Sequence, residues 1–86
     1  MNVKNEASVK KTIQFSLIIS ELQEKALKLT GLLTYSLKKG LIITTDYPLE
    51  KEYVLHFNEK IEGYQFAVVK RVVDCGKIYM AQLDYK

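Results

Sequence analysis

From Val9 the chain alternates. Ile13, Phe15, Leu17 and Ile19 fall on one side of an extended backbone, and Thr12, Gln14, Ser16 and Ser20 on the other, with Ile18 interrupting the polar side. Period two is the mark of a half-buried strand. The next stretch carries two competing periods. Ser20 with Gln23 resembles a capping box, and Leu22, Ala26 and Leu29 have helical spacing, which allows one short helix near 20–30. From Leu27, however, Leu29, Gly31, Leu33 and Tyr35 share one face, with Lys28, Thr30 and Thr34 opposite. The alternation runs longer than the helical match, so the pattern favours a turn at 21–25 followed by a second strand.

Gly40 opens a third strand, Leu41 to Thr45, which Asp46-Tyr47-Pro48-Leu49-Glu50 breaks. Pro48 lacks the amide hydrogen that a central strand needs. Tyr53, Leu55 and Phe57 share a face in a fourth strand, and Asn58 to Gly63 reads as a polar connection. Residues 64–73 are β-branched and aromatic, a fifth strand. Asp74-Cys75-Gly76 is a hairpin turn signal, and residues 77–85 place Tyr79, Ala81, Leu83 and Tyr85 on one side of a sixth. Short strands with regularly spaced turns predict an all-β fold, a small six-stranded antiparallel β-barrel, since closure removes exposed sheet edges. The expected core is Phe15, Leu17, Leu33, Ile42, Leu55, Val68, Val72 and Leu83.

Length and composition narrow the class. At 86 residues the chain is one domain, 9–86, preceded by a polar, patternless arm at 1–8. With 48% hydrophobic and 27% charged residues it has the make-up of a globular protein. The net charge of +3 suits an anionic partner without demanding one. A single cysteine allows no internal disulfide and fits a reducing compartment. No signal peptide or membrane-length apolar run is visible, so a cytoplasmic location is expected.

Chemistry-bearing residues are few. His56 and Cys75 are the only histidine and cysteine, so one chain cannot assemble a zinc set. His56 alternates with the apolar positions of its strand and is expected on the solvent face. No nucleophile–base order or paired-carboxylate motif stands out, which argues against an enzyme and against a metal or other cofactor. Lys38, Lys39 and Gly40 could cradle a phosphate, because a glycine lets the backbone approach an anion that lysines neutralise. A solvated turn accounts for them equally well.

Two stretches carry a family resemblance. "TYSLKKGLIITTDYPLEKEYVLHF" and "KIEGYQFAVVKRVVDCGKIYMAQLDY" resemble, in layout, the middle hairpin and closing portion of PilZ domains, over about Lys10 to Tyr85. The resemblance implies a six-stranded barrel of the split-barrel type, in a family of which many members bind cyclic di-GMP. Those members use an RxxxR motif at the first strand and a (D/N)xSxxG motif in the hairpin. Here the first region reads SVKKTIQF, and the only arginine is Arg71. Lysine offers charge but not the planar fork and stacking face of arginine. Anchored on Ser36, the second motif has Thr34 in place of the acid or amide, and Gly40 comes one residue late. By resemblance, the ligand-binding candidates are Lys10, Lys11, Thr34, Ser36, Lys39 and Gly40.

The degenerate motifs imply an adaptor that works through a protein partner in bacterial signalling or motility, without conventional cyclic di-GMP binding. One alternative is a cyclic di-GMP sensor with a lysine-based site. Another is a small nucleic-acid-binding barrel, with aromatics stacking bases and lysines meeting phosphates. The aromatics Phe15, Tyr35, Tyr53, Phe57 and Tyr79 fall on apolar faces, however, so core packing is their expected role.

Overall fold

A computed structural model describes residues 9–20, 23–36 and 40–86. Six strands make up the fold: β1 (Val9–Ser20), β2 (Gln23–Ser36), β3 (Gly40–Thr45), β4 (Val54–Ile61), β5 (Tyr64–Asp74) and β6 (Tyr79–Tyr85). They form a closed antiparallel barrel in the order β1-β2-β3-β6-β5-β4. The expected all-β barrel is therefore the observed architecture. The arm at 1–8 lies outside the described residues, as do residues 21–22 and 37–39.

The alternation that predicted the strands also fills the barrel. Phe15, Leu17, Ile43, Leu55, Phe57 and Val69 are fully buried. Each such side chain contributes about 1.5–3 kcal/mol by leaving water. Phe15, Leu17, Leu33, Leu55 and Leu83 are buried as expected. Two assignments are corrected by one residue. Ile42 is half-buried on the outer wall, and Ile43 is the core residue, because Ile43 pairs with Leu33 on one side and Ala81 on the other. Val68 faces outward opposite Val54 and Asp84, while Val69 pairs with Leu83 in the core. Val72 is half-buried and packs against the core. A bulge between Val69 and Arg71 lets both Val69 and Val72 face inward although they are three apart, which is why β5 reads as apolar on both sides.

Two boundaries also move. β2 begins at Gln23, so the described part of 20–30 is strand rather than helix, and the hairpin is tighter than a turn at 21–25. Ser20 pairs directly with Gln23. The polar stretch from Asn58 is not a connection but the end of β4, which reaches Ile61 as a buried rung. Glu62 and Gly63 alone make the turn, with φ of 53° and 86°. Positive φ at both central residues is what a type I′ hairpin requires.

The two ends of the barrel differ. The connection from β3 to β4 crosses one end, since these strands are not neighbours, and it buries Leu49 against the core. Thr45, the one buried polar residue among those described, is satisfied there. Its hydroxyl donates to the Thr30 carbonyl at 3.0 Å and accepts from the Tyr47 amide at 3.4 Å. The opposite end has no such plug among the described residues. It is framed by the start of β1, the ends of β2 and β6, and the β4–β5 turn.

Candidate functional site

Of the described residues nominated by resemblance, Lys10, Thr34, Ser36 and Gly40 share one surface and Lys11 does not. Lys10 sits opposite Thr34, and Ser36 opposite Gly40, on the outer wall of β1, β2 and β3. Lys11 is next in the chain and so faces the other way, opposite the buried Leu33, and it lines the end of the barrel opposite the crossing loop. Gly40 has φ of 75°, a backbone state that glycine adopts freely. Lys39 lies outside the described residues.

The end framed by the start of β1 and the β4–β5 turn holds a cavity of about 220 Å³. Its apolar lining is Leu33, Leu41 and Ile61, and the rings of Tyr35 and Tyr85 flank it. Tyr85 is stacked from outside by Tyr64, with centroids 4.3 Å apart and ring planes within 6°. Lys11, Lys60 and Glu62 complete the lining, two basic residues and one acidic. Burial raises the Tyr85 hydroxyl above its ordinary range, and the neighbouring Glu62, Tyr35 and Tyr64 push it the same way. Tyr35, expected to pack in the core, is instead 37% exposed at this mouth. Lys60 and Glu62 were hidden in what reads as a polar connection. The hairpin that places them is irregular. Between the pairs His56–Phe66 and Ile61–Tyr64 the ladder breaks, and the Gln65 side-chain amide donates to the Phe57 carbonyl at 2.7 Å in its stead.

A second feature lies on the outer wall. The registers place Leu32 beside Thr44, Thr44 beside Met80, and Met80 beside Val73, one row across β2, β3, β6 and β5. Leu32, Met80 and Val73 are 39%, 38% and 53% exposed. Ile78, two residues before Met80, is exposed as well. The next row, Thr34, Ile42, Gln82 and Arg71, is polar except for Ile42. Leu32 lies on β2 and Val73 and Met80 on β5 and β6, so only the register could join them in one row.

The lone histidine and cysteine stand apart. His56 lies outward as expected but is half-buried, stacked on Phe66 with centroids 4.8 Å apart. Cys75 is exposed in the β5–β6 turn, where the Asp74 carboxylate accepts from the Gly76 amide at 2.9 Å. From Phe66 to Cys75 the strand rise of about 3.3 Å per residue gives a separation on the order of 25–30 Å. Among the described residues no group of three or more His, Cys, Asp or Glu side chains comes together, and no helix is long and apolar enough to cross a membrane. No family model, curated protein or solved structure matches this chain.

Proposed function

We propose that this barrel is a non-enzymatic contact module, a PilZ-like adaptor that docks a protein partner in bacterial signalling or motility from the cytoplasm. A barrel fold by itself hosts many functions, so the reading rests on the surface. The observation that carries it is the outer-wall row Leu32, Thr44, Met80 and Val73, apolar except for Thr44. An apolar centre edged by Thr12, Thr34, Gln82 and Arg71 has the anatomy of a protein interface, with a desolvated core and a polar rim. These side chains are partly covered by the wall around them, and the rest of each presents apolar surface to any partner that covers it.

The test is comparative capture from cells that make the protein. A partner held by the wild-type chain should be lost with Met80→Glu and with Leu32→Glu. It should be kept with Lys60→Gln, which lies at the barrel mouth. Melting curves on each variant separate loss of the partner from loss of the fold, since strand preference alone spans about 1 kcal/mol. Retention of the same partner by Met80→Glu and Leu32→Glu would remove the row from the interface and refute the reading.

A second reading keeps one observation of its own. Lys10, Thr34, Ser36 and Gly40 share one outer face of β1, β2 and β3, so a lysine-based cyclic di-GMP site would have to form there. Lys11 cannot join it without leaving the mouth. That split weakens the sensor reading, which a nucleotide titration separates from the contact reading.

A further inference from the structure

The geometry points to the barrel mouth as a binding site for a small ligand that joins one planar aromatic ring system to one anionic group. This inference is independent of the outer row and of the cyclic di-GMP face.

Three features of the mouth set the ligand class. The first is shape. One end of the barrel is closed by the crossing loop and its buried Leu49, whereas the other holds a cavity of about 220 Å³. Sites for drug-sized ligands run from about 300 to 1,000 Å³, so this cavity suits a single ring system and not a dinucleotide. The second is the pair of rings. Tyr85 is held in place by its stack on Tyr64, and Tyr35 shows 37% of its surface at the same opening. Two tyrosines over an apolar floor of Leu33, Leu41 and Ile61 offer stacking area to a flat guest. The third is charge. Lys11 and Lys60 line the cavity with one acidic residue, Glu62. The Tyr85 hydroxyl stays neutral at ordinary pH, since burial and Glu62 hold it above its usual range. The excess is positive, which favours an anion and works against an aromatic cage for a cation.

The arrangement also argues against a long single strand of nucleic acid. Such a strand is read by rings spaced along a groove, each taking a successive base. Here Tyr35 and Tyr85 share one cavity, so they serve one ring.

Two probes with a ring and an anion, adenosine 5′-monophosphate and indole-3-acetate, test the site through backbone and tyrosine-ring chemical shifts. Adenosine, indole, inorganic phosphate and acetate serve as half-ligand controls. The expected result is one-to-one binding of at least one probe, with shifts centred on Tyr35, Lys60 and Tyr85. The matching half-ligands should bind about tenfold more weakly or worse, a difference of about 1.4 kcal/mol. Tyr35→Ala should weaken the probe about 5- to 150-fold, the range spanned by one base stacked on an aromatic side chain. Lys60→Gln should weaken it about fivefold, as an exposed ion pair allows. Melting curves for both variants show that the barrel is intact. If neither probe binds, if the uncharged ring binds as well as the charged one, or if folded Tyr35→Ala binds unchanged, the proposal is wrong. An oligonucleotide that binds while both small probes fail would also overturn it.

Discussion

Gly31 lies in β2 opposite Ile13, at a point where a side chain has no room. A Cβ added there would stand 2.9 Å from both Cδ1 and Cγ1 of Ile43 and 3.1 Å from the Thr44 carbonyl oxygen. Carbon atoms in good contact sit about 3.5–4.0 Å apart, so Gly31→Ala forces a shift. Ile43 is fully buried and cannot retreat into solvent, and Thr44 is held in the β2–β3 and β3–β6 ladders. Overpacking of this kind costs about 1–3 kcal/mol. The lower entropy of the unfolded chain returns about 0.4–1 kcal/mol. The net expectation is a loss of about 1–2 kcal/mol, or a melting temperature lower by about 5–15 °C for a domain of this size. Thermal and urea melts followed by circular dichroism measure it. Ile43→Val, which removes Cδ1, costs about 0.5–1.5 kcal/mol in the wild type. In the Gly31→Ala background it should cost less, a coupling of about 0.5 kcal/mol or more. A Gly31→Ala protein as stable as the wild type, or strictly additive pair effects, would show that β2 and β3 do not approach as described.

Three further outcomes follow from the same geometry. Glu62 holds φ of 53° in the β4–β5 turn, a state that suits asparagine, so Glu62→Asn should stabilise the domain by about 1 kcal/mol in urea melts. Gln65→Ala strips the Phe57 carbonyl of its donor where the ladder is broken, and should cost about 1–2 kcal/mol by the same measurement. Tyr85 has a hydroxyl pushed up by burial and by Glu62. Its neutral form is therefore favoured in the fold, so its contribution is fully present below the ordinary tyrosine pKa of about 10 and is lost as pH rises through the raised value. Urea midpoints measured across that alkaline range should fall less steeply for Tyr85→Phe than for the wild type.

Much of the barrel was legible because one rule governs it. Alternation in β1, β2 and β6 named Phe15, Leu17, Leu33 and Leu83 directly, and the turn residues marked Gly40 and Asp74 to Gly76. The rule fails where both faces are apolar. A run without polar residues carries no phase, so the pattern offers Ile42 and Val68 as readily as Ile43 and Val69. In β3 the register with Leu33 and Ala81 sets it, and in β5 the bulge before Arg71 resets it. Local polarity misled at Asn58 to Gly63, which holds a buried Ile61 and the charges of the mouth. Leu49 was a lone apolar residue in a polar loop, and only the crossing from β3 to β4 gives it a core to enter. The mouth and the outer row are assembled from residues far apart in the chain. Tyr35 looked like core because its alternation is correct, yet at the last rung of a barrel the inward face opens to solvent.

The measurement that most directly separates a contact module from a nucleotide sensor is calorimetric titration with cyclic di-GMP at moderate salt. Losing one charge-assisted hydrogen bond costs about 1.5–3 kcal/mol, and several are missing without the arginine pair and the acid or amide of the hairpin. At about 1.4 kcal/mol per tenfold, a micromolar site would fall to millimolar or weaker. No saturable heat is expected in the micromolar range. A one-to-one isotherm near about 1 μM on that scale, abolished by Lys10→Ala or Ser36→Ala, would contradict it and make the outer face of β1, β2 and β3 a sensor.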